Sequence, residues 1–382
     1  MANYDYEIVN GRKIRVRPKE TVSEIDKNGY FRRQPNHFTT PFGDGENDLK
    51  AEGNKRYRLV WAKLCHWSNR AAIVRELEGL EDQISVNMVE HAPHEKNLGW
   101  EYVYNENNID PVLGDQFLSE AYYRADDDYQ GRTTVPALID TTTGKVVNND
   151  YNWLTTYFEV NFRPWHKKGA PELYPVELRE EIDKMNLWLF DNINNAVYRS
   201  SFSRSNEGHF DGVNTFYAAM DRLEKRLETN RFLFGDYVTD SDIRLYVTLA
   251  RLDIRYTAQL GETKRPLYTY KNLWGYAKEL WEIPAFAHHT DFAAIIRQGR
   301  IEGEEDGFRA STHYDLALPK IDWDAQWKVS TERAYLSSDP THPIYLGNNR
   351  RFYIDPTWYD LGAESPKKEE KETPPSCGCC CG

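Results

Sequence analysis

Apolar and polar positions follow two kinds of pattern along the chain, strand-and-helix alternation first and helical spacing after it. A β-rich run, Tyr57-Arg58-Leu59-Val60-Trp61-Ala62, leads into Lys63-Leu64-Cys65-His66. Beyond it Ala71, Val74, Leu77 and Leu80 share one helical face, so a strand hands over to a helix at Cys65. Ile84, Val86 and Met88 alternate with polar residues and predict a second strand. A loop holding Trp100 follows, then a helical stretch near Phe117 to Arg124. Val135-Pro136-Ala137-Leu138-Ile139-Asp140 predicts a third strand opened by a proline. Thr141 to Gly144 predict a hairpin turn, with Val146-Val147 starting the return strand. Asn148-Asn149-Asp150 then reads as the cap of a helix carrying Trp153, Leu154, Tyr157 and Phe158. The predicted order over residues 55–165 is β-α-β-α-β-β-α.

A proline-edged stretch over 166–172 reads as a linker, and the period then becomes helical. Ile182, Met185, Leu189 and Ile193 share a face, as do Val213, Phe216, Tyr217, Met220, Leu223 and Leu227. Thr239-Asp240-Ser241-Asp242 predicts a capping box, with Val238 and Ile243 as its hydrophobic staple. The helix it opens carries Leu245, Leu249 and Leu252, and a further helix runs near Leu273 to Leu280. An all-helical domain is expected over residues 173–300. Residues 1–54 read as an irregular extension that Tyr30, Phe31, Phe38 and Phe42 pin to a globular surface. Residues 301–363 read as a wrapping extension, and 364–382 as a disordered, Cys-rich tail.

Composition narrows the class. The chain has 382 residues, 40% of them hydrophobic and 14% aromatic, enough for a sizeable core in two domains. Its 18 prolines and mean hydropathy of -0.76 go with much loop. A net charge of -12 with no basic stripe argues against a nucleic-acid partner. No apolar run approaches the roughly 20 residues that span a bilayer, and the N-terminus lacks the apolar core of a signal peptide. A cytoplasmic location is therefore expected.

Of five cysteines, Cys65 alone lies in the body of the chain, while Cys377, Cys379, Cys380 and Cys381 crowd the end. That distribution excludes a disulfide framework. Ser68, three residues after Cys65, stands where a redox pair would have its second thiol, so disulfide chemistry at Cys65 needs an external thiol. The unpaired N–H groups at a helix start favour an anion, which makes Cys65 a candidate thiolate nucleophile. The terminal cysteines suit a soft metal such as Zn or Cu(I), lipidation, or partner capture, and support no site assignment. His91 and His94 with Glu90 and Glu95 read as a solvated polar loop around Pro93, and no metal site is expected.

A nucleophile-position Cys after the first strand and a Val-Pro before the third is the thioredoxin-like arrangement. Followed by an all-helical domain with a capping box after Phe232-Leu233-Phe234-Gly235-Asp236, it resembles a glutathione transferase. The details resemble the glutathionyl-hydroquinone reductases, the Xi class. These are Cys65-His66-Trp67-Ser68-Asn69-Arg70, Gly131-Arg132-Thr133-Thr134-Val135-Pro136 and Val146-Val147-Asn148-Asn149-Asp150-Tyr151. Val197-Tyr198, Arg244-Leu245, Asn272-Leu273-Trp274-Gly275-Tyr276 and Ile321-Asp322-Trp323 also fit, so the likeness spans roughly 30–325.

The resemblance implies glutathione as co-substrate, with its cysteinyl backbone paired to Val135. It implies Arg132 near a carboxylate, Asp150 and Tyr151 at the γ-glutamyl end, and Trp100 packed against the peptide. Each has a structural alternative: Asp150 as an N-cap, Arg132 in a surface ion pair, Trp100 in the core. The implied reaction removes glutathione from a glutathionyl-hydroquinone through a Cys65 mixed disulfide, with Tyr198 and Tyr256 binding the ring oxygen and protonating the leaving carbon. A homodimer and a quinone-derived aromatic substrate also follow from the resemblance. Three departures stand out. His66 replaces a Pro and is expected to face solvent. Tyr151 replaces a Ser. A later tyrosine has no match in Phe292-Ala293-Ala294-Ile295-Ile296-Arg297. The thiol donor is left open to a related thiol such as γ-glutamylcysteine. The alternative function is a binding protein that keeps the transferase fold with little or no catalysis.

Overall fold

The computed structural model describes residues 4–17, 23–91, 98–257, 260–261, 265–297, 322–341 and 343. Its N-terminal strands β1 (Tyr6–Val9) and β2 (Arg12–Arg15) pair as an antiparallel hairpin, a regular element inside the stretch expected to be irregular. The signal was present: Asn10 and Gly11 sit at φ 51 and 79, the left-handed pair that a tight two-residue hairpin demands.

The first large unit is a mixed four-stranded sheet in the order β4-β3-β7-β8. Strand β3 (Tyr57–Trp61) runs parallel to β4 (Ile84–Met88). The helix α1 (His66–Leu77) makes the crossover between them. After the short ribbon of β5 (Glu90–His91) and β6 (Trp100–Glu101) comes α2 (Leu118–Ala125). Strands β7 (Ala137–Asp140) and β8 (Lys145–Asn148) then pair antiparallel, β7 also lying antiparallel to β3. The helix α3 (Leu154–Val160) closes the unit. This is the thioredoxin-like arrangement, and the Val135-Pro136 peptide before β7 is cis.

The second unit is helical. It comprises α4 (Arg179–Leu189), α5 (Ala196–Phe202), α6 (Asn206–Arg226), α7 (Asp240–Arg251) and α8 (Lys271–Trp281), with π-helical turns over Phe190–Asn194 and Leu252–Tyr256. Shorter helices α9 (Pro284–His288), α10 (Phe292–Arg297) and α11 (Trp323–Trp327) follow. The capping box forms: Asp242 Oδ2 accepts the Thr239 N–H at 2.8 Å. Asp242 Oδ1 also accepts Leu233 N–H at 2.9 Å and the Tyr276 hydroxyl at 2.7 Å, tying α8 and the preceding turn to the start of α7.

One apolar core runs through both units. Leu59, Ile73, Val74, Leu154 and Phe158 are continuous with Met185, Trp188, Phe216, Met220, Leu245 and Leu249, all buried. Because α1 packs on α7, every residue of its first turn is buried, polar ones included. The N-terminal segment is held by the same body. Phe31 and Phe42 are buried, and the Gly29 carbonyl accepts the Arg204 N–H at 2.6 Å. A Cβ at Gly29 would meet Ser205 at 2.9 Å. Trp327 packs among Tyr246, Trp274 and Phe292. Most of the expected wrapping extension, His94, Glu95 and the four terminal cysteines lie outside the described residues.

Candidate active site

Cys65 is the N-cap of α1, with extended backbone (φ -86, ψ 117) and its carbonyl accepting Asn69 N–H at 2.9 Å. The first-turn N–H groups of a helix have no intrahelical acceptors and favour a negative charge at that end, although none of them donates to the Cys65 side chain here. Sγ lies 3.7 Å from the Val135 carbonyl oxygen, and the residue keeps 8% of its surface accessible. Ser68 pins the turn from below. Its hydroxyl donates to Ala62 O and accepts the Ala62 N–H, both at 3.1 Å.

Trp100, Val135, Tyr151 and Trp67 are buried in one cluster with Cys65, and Tyr198 packs against it. The Trp100 indole donates to the Thr133 carbonyl at 3.1 Å and stacks on His91 at 3.8 Å, so it props the Thr133–Val135 edge from a core position. Tyr151 stacks on Phe190 and packs on Trp67 with ring centroids 4.7 Å apart, and burial pushes its hydroxyl up to about 12. Tyr198 and Tyr256 face each other from α5 and the turn after α7, centroids 6.5 Å apart. Burial first, then the nearby Cys65, raises Tyr198. Burial, then Tyr198, raises Tyr256 well above its ordinary value. Both hydroxyls therefore keep their protons and can donate.

The other two predicted residues are engaged within the protein. Arg132 forms a fork with Glu24, Nε to Oε2 and Nη2 to Oε1, each 2.8 Å, which is the ion-pair alternative. Asp150 Oδ1 accepts Asn36 Nδ2 and the Asn152 N–H, both at 3.0 Å, capping the turn that leads into α3. The helix itself starts at Leu154, later than the sequence pattern placed its cap.

His66 does not face solvent. It is fully buried, its Nδ1 lying 3.1 Å from Thr248 Oγ1 and 3.2 Å from the Tyr256 hydroxyl. The position after the N-cap points at α7, and that packing overrides the polar character of the residue. Burial, reinforced by Arg251, Arg33 and Arg70, holds its pKa well below the ordinary histidine value.

Two residues escaped the sequence reading. Arg251, at the end of α7, is fully buried and reaches across the unit boundary. It donates to Leu64 O (3.0 Å), Lys63 O (2.9 Å) and Asn69 Oδ1 (3.2 Å), so the helical unit grips the loop carrying Cys65. Arg33, from the N-terminal segment, lies over the rings of Trp67 and Tyr198 at 4.7 and 4.5 Å. Arg251 follows Arg244 at a seven-residue spacing on one face of α7, a local hint; Arg33 had none. Among the described residues no group of three His, Cys, Asp or Glu is placed to hold a metal, and no helix is long and apolar enough to cross a membrane.

Residues 197–279 match the model of the glutathione S-transferase C-terminal domain. The chain is 35% identical over 280 residues to glutathione S-transferase omega-like 2 of Schizosaccharomyces pombe, covering 70% of this chain and 88% of that one. It is 33% identical to glutathionyl-hydroquinone reductase YqjG of Escherichia coli, covering 63% and 73%. The glutathione-bound structure of YqjG superposes with a TM-score of 0.62 at 31% identity, covering 71% and 88%. The Xi glutathione-S-transferase of Phanerochaete chrysosporium superposes with a TM-score of 0.65 at 33% identity, covering 72% and 88%.

Proposed function

The chain belongs to the glutathionyl-hydroquinone reductases, the Xi class of glutathione transferases, and from that premise we propose that it removes glutathione from glutathionyl-hydroquinones through a Cys65 mixed disulfide. The observation that carries the reading is the position of the sulfur. It sits at a helix start, 3.7 Å from the Val135 carbonyl, beside two protonated tyrosines from the other unit.

In this reading the Val135 backbone edge pairs with the cysteinyl part of glutathione, and Trp100 keeps that edge in place. Asp150 receives the γ-glutamyl amine with its free carboxylate oxygen, and Tyr151 walls that end. Arg132 serves a glutathione carboxylate while tied to Glu24. The Cys65 thiolate attacks the glutathione sulfur. The sulfur–carbon bond breaks with its electron pair going to the ring carbon, and that carbon takes a proton supplied through Tyr198 or Tyr256. The aromatic carbon is reduced and the two sulfurs are oxidised to a Cys65–glutathione disulfide. A second glutathione thiolate then attacks the glutathione sulfur of that disulfide, displaces the Cys65 thiolate and leaves joined to it as oxidised glutathione.

The internal partners of Arg132 and Asp150 favour a second reading, a ligand-binding protein with little catalysis. The test is turnover of a glutathionyl-hydroquinone by the wild type, Cys65→Ala and Cys65→Ser, with intact-mass analysis after incubation with oxidised glutathione. We expect turnover and the added mass of one glutathione only in the wild type. Equal rates in all three proteins would remove the mechanism and leave the binder.

A further inference from the structure

Arg33 brings a positive charge into this cleft that no carboxylate among the described residues pairs with directly. Its guanidinium carbon lies 4.7 Å from the Trp67 ring centroid, 4.5 Å from that of Tyr198 and 5.7 Å from that of Tyr151. Nε donates to Asn195 Oδ1 at 3.0 Å. Nη2 is enclosed by its surroundings with no hydrogen-bond acceptor, whereas Nη1 is neither enclosed nor bonded. The acidic group that feels its field, Glu24, gives both oxygens to Arg132 and one of them also to the Gln34 N–H.

Aromatic faces steady a guanidinium through their quadrupoles but do not neutralise it. A half-buried cation without a direct ion-pair partner gains from an anion that arrives with the ligand, and the planar N–H fork fits a carboxylate. The rings it lies on are those around Cys65: Trp67 and Tyr198 both pack against His66, the residue next to the sulfur. We propose that Arg33 is a binding residue for a carboxylate of the substrate. The assignment rests on the reductase reading for what enters the cleft. The carboxylate belongs either to glutathione or to the aromatic ring, and the experiment separates these sources.

The readout is binding, followed by the fluorescence of the site tryptophans, so it does not depend on turnover. Four ligands are titrated: S-benzylglutathione, its analogue lacking the γ-glutamyl carboxylate, its glycine amide, and S-(4-carboxybenzyl)glutathione. Each is measured on the wild type, Arg33→Gln and Arg33→Lys. We expect Arg33→Gln to weaken only the ligands that carry one particular carboxylate, by about ten-fold or more, as the loss of a charge-assisted hydrogen bond implies. Arg33→Lys should regain part of that. A penalty absent only from the analogue without the γ-glutamyl carboxylate, or only from the amide, assigns the contact to that end of glutathione. A penalty confined to the carboxybenzyl ligand assigns it to the ring. Because the ligands are compared on the same variant, a general loss of fold cannot mimic the pattern. Equal penalties on all four, or none, overturn the role of Arg33 alone. Failure of the wild type to bind any of them overturns the glutathione-dependent reading with it.

Discussion

His66 illustrates how one side chain takes its properties from what packs on it. Buried, and within the field of the Arg251, Arg33 and Arg70 cations, it stays neutral where a free histidine would charge. The unfolded chain takes up this proton below about pH 6.5, while the folded protein resists it. The unfolded state then binds more protons, so the contribution is complete above that pH and is lost as pH falls toward the lower folded value. We expect the stability advantage of the wild type over His66→Gln in urea titrations to shrink between pH 7 and pH 5. The change is at most about 1.4 kcal/mol per pH unit. A gap that does not move with pH would mean that His66 is charged or hydrated in the fold. The same packing puts Nδ1 within reach of Tyr256, so the residue next to Cys65 also holds the Tyr256 hydroxyl.

At the scale of elements, the decisive contact is between the end of α7 and the loop ahead of α1. Arg251 satisfies Lys63 O, Leu64 O and Asn69 Oδ1 at once, with a further bond to Val247 O on its own helix. Arg251→Met would leave those acceptors buried without donors. We expect it to cost roughly 1–3 kcal/mol in chemical denaturation, the range for an orphaned buried polar group. Arg251→Lys should recover only part, since an ammonium cannot present a planar fork. Loosening this grip should also change the rate at which iodoacetamide alkylates Cys65. An unaltered alkylation rate in a folded Arg251→Lys protein would show that the clamp does not position the Cys65 sulfur.

Across the whole molecule, the two units share a core, and polar groups are trapped where they meet. Glu159 of α3 is buried, and neither carboxylate oxygen has a hydrogen-bond partner among the described residues. Burial, with Asp240 and Glu78 adding repulsion, raises its pKa well above the ordinary carboxylic value. The folded state therefore keeps a proton that the unfolded chain releases above about pH 4.3, so this group costs stability as pH rises until the folded pKa is passed. Glu159→Gln should melt higher than the wild type at pH 7.5, and the difference should narrow toward pH 5. A variant that melts lower at every pH would mean that the carboxylate has a partner in solution. Nearby, Asp240 is better served: Arg244 Nε donates at 2.5 Å, Asn186 Nδ2 at 2.9 Å and the Thr155 hydroxyl at 3.1 Å, joining α3, α4 and α7.

What could be read from the chain itself was local and periodic. The run from Tyr57 to Ala62, the helical face that follows Cys65, the strand after Val135-Pro136 and the capping box at Thr239 each carry their signal within a few residues. Those signals were enough for the order of elements and for the place of Cys65 at the strand–helix junction. The Asn10-Gly11 hairpin is equally local. The rest depends on which surfaces meet. The burial of His66, the pairing of Arg132 with Glu24, the grip of Arg251 and the reach of Arg33 join residues from about 100 to nearly 190 positions apart. No period in the sequence encodes such contacts. They arise because α1 packs on α7 and the N-terminal segment lies against both units, and only the assembled fold selects the partner of each charge.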